Sequence, residues 1–332
     1  MSGVAGTSAA RGRWLTSTAW FALFRDQPMI PLLALLGILV GASEVVRPGI
    51  VDSEWTGVIL RTSVPLAILA ACQTLTMLTG GIDLSVGAVA SMSGFVVASL
   101  VGPVGLPAAI AVALVAAAFA GLVTGIGVGV FRVHPLIMTL GMSLVVLGLA
   151  NVWQLQTIQT NAGVPPELRW LGSQAVAQIF PISLLVFVPL AALILLGLRR
   201  TGYGRMLYAI GDNPVAARLS GARSWQILVV LYVTSALMAA VAGFLYSGYT
   251  NVASVSLVDT DVLPSVAAAV IGGTSIMGGR GGFGGTIVGV LILTVITSLI
   301  SSLGYPEAVR QVLFGAIIVA VAAAYTRVTS QS

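Results

Sequence analysis

Ten apolar runs, most of them 17 to 26 residues long, follow one another through this chain, and nothing constrains its fold more. They are Met29–Val46, Thr62–Leu78, Ser85–Val101, Leu106–Phe131, Pro135–Trp153, Ile179–Leu198, Ile227–Tyr249, Val262–Met277, Phe283–Leu303 and Ala308–Tyr325. A hydrocarbon core of about 30 Å is crossed by roughly 20 apolar residues in a helix. Only 8% of the 332 residues are charged, against roughly 25% in an ordinary soluble domain, so they cannot cover a soluble globule of this size. Soluble enzyme, disordered tail and disulfide-stapled secreted domain are excluded together. The first run exceeds the h-region of a signal peptide and lacks a small-residue cleavage site, so it reads as a span. The expected fold class is all-α, a polytopic membrane protein of about ten helices.

Charge supplies an independent test, because cytoplasmic loops hold the excess of basic residues. With the N-terminus inside, eleven of the fifteen arginines fall inside; Arg47, Arg61, Arg169 and Arg310 fall outside. The net charge of +5 is therefore a topology signal and calls for no nucleic acid. This divides the chain into a cytoplasmic segment 1–28, a single membrane domain 29–325 and a cytoplasmic tail 326–332, with the loop 199–226 inside the domain also cytoplasmic. Eight spans, with Ser85–Val101 and Val262–Met277 re-entrant, form the alternative, since both are short and glycine-interrupted.

Three stretches carry more than hydropathy. In Thr79–Ala88, the pair Gly80-Gly81 breaks a helix and Asp83 begins the next. Asp83 suits an N-cap, its carboxylate accepting from backbone N–H groups near Ser85 and Val86. An acid in a broken helix also marks a pathway or a moving joint, and one residue can serve both purposes. The stretch Ile271–Thr286 holds eight glycines in sixteen residues. It is no Walker A loop, because the chain contains no lysine. Close helix approach through small residues explains it better, with Arg280 as a cytoplasmic anchor.

The third stretch is the loop Arg199–Gln226. Asn213 suits an N-cap, Pro214 the first helical position and Gly221 the residue past the end, predicting a short helix over Pro214–Ser220. Six or seven residues are too few to be stable alone. Val215 and Leu219, four apart, give it one apolar face. That face packs either on this chain's own helix ends or in a partner's groove.

One histidine (His134) and one cysteine (Cys72) supply neither a zinc site nor a catalytic triad. His134, at a span boundary, reads as a solvated cap or interface residue. Paired intramembrane carboxylates, the usual mark of ion-coupled carriers, are missing too.

The three stretches together resemble the permeases of bacterial ABC sugar importers, the branch handling ribose, xylose, galactofuranose and autoinducer-2. The matching segments are TGGIDLSVGA at Thr79–Ala88, the TxxGRxxYAIGxNxxAARLSG pattern at Thr201–Gly221, and IGGTSxMGGRG at Ile271–Gly281. The resemblance implies a type II-like importer permease in the bacterial inner membrane, paired with a second copy or a sister permease. It also implies two ATPase subunits or a fused tandem ATPase, which bind the ATP and Mg, and an extracytoplasmic sugar-binding protein. The short helix then enters an ATPase groove through Asn213, Pro214, Ala216, Ala217, Arg218 and Gly221, while Gly80, Gly81 and Asp83 form a mobile break near the pathway. This chain itself binds no cofactor or metal under this reading and is not an enzyme. Sugar contacts combine aromatic faces with amides and hydroxyls, which nominates Phe95, Asn151, Trp153, Gln154 and Tyr246. The competing reading is an ATP-independent secondary transporter or channel for small polar solutes.

Overall fold

The computed structural model describes residues 29–157, 163–306, 308–316 and 319. The segments 1–28 and 326–332, and the end of the last apolar run, lie outside the described residues. The long helices are α1 (Met29–Val46), α2 (Ser53–Leu78), α3 (Val86–Val104), α4 (Leu106–Gly129) and α5 (Pro135–Thr157). After them come α6 (Pro166–Ser173) and a two-residue hairpin, β1 (Ala175–Val176) and β2 (Phe180–Pro181), paired antiparallel. Then follow α7 (Leu184–Arg200), α8 (Gly202–Asp212), α9 (Pro214–Leu219), α10 (Ser224–Thr250), α11 (Val262–Ile271) and α12 (Phe283–Ser302). Residues 308–316 are helical.

Seven of these helices are long and apolar enough to cross a membrane, or eight if α7 and α8, bent by 69°, count as one crossing. Three expectations need correction. The run Val262–Met277 is helical only to Ile271. Its ten residues rise about 15 Å, half a bilayer core. A side chain at Gly272 would strike the backbone of Gly285 and Thr286, and Gly273 turns the chain at φ +89°. The run Ile179–Leu198 enters its helix only at Leu184, because the hairpin holds Ala177 and Gln178 at φ 52° and 63°. The loop 199–226 is itself mostly helical, in α8 and α9. Ser85–Val101, weighed as re-entrant, is the full-length helix α3.

Two helices form the centre. α2 is buried along most of its length, and α10 packs against α2, α3, α4 and α6. Between helices in lipid no hydrophobic force acts, so close backbone approach through small residues has to hold them. On α4, Ala109, Ala113 and Ala117 are fully buried, and Gly121, Gly125 and Gly129 continue the same four-residue spacing. Side chains at these glycines would meet Tyr232, Val229 and Trp225 of α10 in turn. The α3–α10 contact repeats the device, with Gly243 against the Ala90 carbonyl and Gly94 against Ser247. In the isolated chain α1 lies outside this core, resting on α12.

Candidate functional site

The three stretches singled out in the sequence meet at one end of the molecule. Helix α2 stops at Leu78, and Gly80, at φ +80°, reverses the chain. The Leu78 carbonyl accepts a hydrogen bond from Gly279 N–H at 3.0 Å. Gly211, near the end of α8, lies against both groups, so a Cβ there would overlap the Leu78 carbonyl and come within 2.5 Å of the Gly279 nitrogen. Gly278, at φ +92°, faces Gly211 and the Gly80 nitrogen. Tyr208 of α8 donates its hydroxyl to the Gly281 carbonyl at 2.9 Å. Each stretch thus contributes one glycine (Gly80, Gly211, Gly278) to a contact in which backbone touches backbone. No side chain stands between them to absorb a displacement.

Asp83 is fixed just beyond this joint. Its Oδ1 accepts from the Ser85 backbone N–H at 3.0 Å and the Ser85 hydroxyl at 2.6 Å, and its Oδ2 accepts from the Ser235 hydroxyl at 2.9 Å. The bonds come from Ser85 and from Ser235 of α10, and Val86 N–H donates none to the carboxylate, so Asp83 is only partly the helix cap its position suggests. Gln73 grips its backbone on both sides, donating to the Asp83 carbonyl at 2.8 Å and accepting from its N–H at 3.2 Å. Thr139 of α5 accepts from Leu84 N–H and donates to the Ile82 carbonyl. Ser235 is the twelfth residue of α10, so Asp83 lies level with a point about 16 Å along that helix. The acid is buried, and four helices are tied through its turn.

α9 forms as its residues dictate. Asn213 Oδ1 accepts from Val215 N–H at 3.1 Å and Ala216 N–H at 2.9 Å, Pro214 occupies the first position, and Gly221 adopts φ +86°. Ala217 is buried, and Arg218 Nε donates to the Pro214 carbonyl at 3.1 Å. Val215 and Leu219, 56% and 84% exposed, stand on the opposite face with nothing covering them in the single chain.

At the other end of α2, α11 and α12 lies a cavity of about 430 Å³. Its polar lining includes Thr62, Tyr246, Asp261, Thr297, Ser298 and Arg310; Leu66, Leu293 and Phe314 form apolar wall. Asp261 sits in the turn before α11, where burial lifts its carboxyl to about 6 against the opposing pull of the Tyr246 hydroxyl and Arg310. Of the five residues nominated for substrate contact, only Tyr246 lines this cavity. Phe95 is buried in the core on α3. Trp153 donates its indole N–H to Ser99 at 3.0 Å, Asn151 bonds its own helix at Leu147 O, and Gln154 is half-buried on α5. Gly80, Gly81 and Asp83 lie at the joint, away from this lining. Asp261, Arg310 and the hydroxyls of α12 escaped the sequence reading. Thr294, Thr297, Ser298 and Ser301 are spaced i, i+3, i+4, i+7, a polar stripe along an otherwise apolar helix that hydropathy averaging hides. Among the described residues, no three His, Cys, Asp or Glu side chains gather to hold a metal ion.

A family model described as branched-chain amino acid transport system / permease component matches residues 56–322. The chain is 33% identical over 317 residues to the ribose import permease protein of Escherichia coli K12, covering 94% of this chain and 96% of that one. It is 31% identical over 300 residues to the fructose import permease protein of Rhizobium meliloti, covering 87% and 82%. With the galactofuranose transporter permease protein of Escherichia coli K12 the identity is 33% over 265 residues, covering 79% and 77%. No solved structure matches. With matching motifs, a polytopic helical fold and near full-length similarity in agreement, the chain belongs to this permease family, as a multi-pass inner-membrane subunit of a bacterial ABC importer.

Proposed function

We propose that this chain carries a monosaccharide, of the ribose or galactofuranose kind or a related sugar or polyol, across the membrane at the expense of ATP hydrolysed on partner subunits. A binding protein outside the cell delivers the sugar, and a second permease copy or a sister permease completes the pathway. The observation that carries this reading is the continuous path from α9 to the glycine joint. The exposed Val215–Leu219 face of α9 suits an ATPase groove; α9 packs on α8, and α8 bears on α2 and on the 278–281 loop through Gly211 and Tyr208. A displacement there reaches helices that line the cavity at their other ends: Thr62 of α2, Pro264 of α11 and Ser298 of α12. Along α2, Leu78 to Thr62 spans sixteen residues, about 24 Å. A push at one end of rigid rods thus changes the other end without a chemical relay, as a two-state packed element requires.

Under this reading the arginine-rich face carrying α8 and α9 is cytoplasmic, and the cavity opens toward the binding protein. Tyr246 supplies an aromatic face, Asp261 and Arg310 charged partners for hydroxyls, and α12 a row of hydroxyl groups. The test is uptake into proteoliposomes containing the permease and its partner ATPase, with the sugar-binding protein added outside. Radiolabelled ribose accumulating only with internal or external ATP supports the proposal. Uptake by the permease alone, driven by a solute gradient, would establish the channel or secondary-transporter alternative instead.

A further inference from the structure

A second cavity, of about 490 Å³, opens beside α9 where α4 ends and α10 begins. Three arginines line it, Arg132, Arg218 and Arg223, with Ser224, Trp225 and Leu228 among the remaining wall, and no acidic side chain is in the lining. The nearest acid in sequence, Asp212, packs instead against Gly279. Arg132 is held at φ 56°, an unusual conformation for a residue with a side chain. The hydroxyl of Ser224 is buried without a hydrogen-bond partner, and α10, 27 residues long, starts here with no side-chain cap. Guanidinium groups, a helix N-terminus and an unused hydroxyl all favour an oxyanion. The rest of the lining is mostly apolar, and Val130 and Trp225 within it are exposed where two membrane-crossing helices end and begin.

We infer that this cavity binds the phosphate of an anionic glycerophospholipid, with its acyl chains along the exposed faces of α4 and α10. Basic pockets between membrane helices hold anionic headgroups in this way, and an exposed tryptophan suits the headgroup level. The two faces of α9 decide between a lipid and an acidic protein partner. Pro214 and Arg218 line the cavity, whereas Val215 and Leu219 are exposed and outside its lining, so a protein seated on the apolar face leaves the cavity to the membrane. The inference stands independently of which solute the permease carries.

The experiment titrates the full-length permease in detergent with dihexanoyl-phosphatidylglycerol, dihexanoyl-phosphatidylcholine or sodium phosphate, reading tryptophan fluorescence. Phosphatidylglycerol should give a saturable change that disappears in Trp225→Phe, and phosphatidylcholine should bind at least tenfold more weakly. Arg132→Gln with Arg223→Gln should weaken the phosphatidylglycerol response at least tenfold while leaving the melting temperature within a few degrees. If the double variant does not fold, Arg132→Gln alone and native mass spectrometry of retained lipid on the wild type give the same reading. Equal response to both lipids, or undiminished binding in the arginine variants, overturns the inference. Saturation by phosphate at the same concentration overturns the lipid as the source, and displacement of the lipid by the partner ATPase assigns the cavity to a protein contact and overturns it as well.

Discussion

Gly211 and Leu78 are in contact with no side chain between them: the Cα of one lies against the carbonyl of the other, and the same carbonyl is already bonded to Gly279. This makes α8 and the end of α2 one mechanical piece. Glycine is required at 211 for space, and at 80 and 278 for a positive φ.

Gly211→Val should therefore separate α8 from α2. Overpacking of this kind costs about 1–3 kcal/mol, which leaves the membrane core assembled but breaks the joint. The expected outcome is a folded permease that still binds its ATPase and no longer couples hydrolysis to uptake. ATP turnover and sugar accumulation measured on the same proteoliposomes check it; coupled transport at the wild-type ratio would refute the joint.

Asp83 and Ser235 should be energetically linked. Ser235→Ala removes one of the three hydrogen bonds to the carboxylate, and Asp83→Asn disturbs all of them. Double-mutant cycles between membrane helices average about 0.6 kcal/mol with maxima near 1.7, and a coupling in the upper half of that range is expected here because Asp83 is buried. Thermal melting of the two single variants and the double variant measures it, and strict additivity would show that the bond across to α10 contributes nothing.

The small-residue stripe makes a paired prediction. Gly125→Leu would force α4 away from Val229 of α10, whereas Gly141→Leu on α5 meets open space. The first should abolish monodisperse, folded protein and the second should leave its yield unchanged. Size-exclusion profiles of both, expressed side by side, decide the matter.

α9 offers a separation of folding from docking. Asn213→Ala loses an N-cap, about 0.5–2 kcal/mol, and should fray α9. Leu219→Glu keeps the cap and alters only an exposed apolar side chain. Both should reduce co-purification of the ATPase, and Leu219→Glu should do so with an unchanged melting temperature. Full ATPase retention by Leu219→Glu would remove the exposed face from the interface.

Much of this was legible in the residues. The end of α1 at Val46 agrees with its apolar run, and α9 begins where Asn213-Pro214 demands, because a cap and a proline act on their immediate neighbours. The bend into α8 was not legible. Leu207 and Ile210 are buried on an amphipathic helix, but glycines at 202, 204 and 211 lower its intrinsic helicity, and only packing on α2 and the 278–281 loop restores it. The cavity was harder still, since Thr62, Asp261 and Arg310 stand far apart along the chain and are brought together by helix packing alone.

By itself, then, the sequence determined the environment of this protein. Long apolar runs with few charges have no stable state outside a bilayer. It also marked the three glycine-bearing stretches. Only the tertiary structure decided that these stretches touch, that α11 stops after ten residues and that Asp83 is bonded across to α10. The reason is physical: hydropathy records what each segment prefers as solvent, whereas inside a membrane the helices are ordered by how closely their backbones approach. That closeness depends on which small residue meets which neighbour, a property of pairs that no single segment contains.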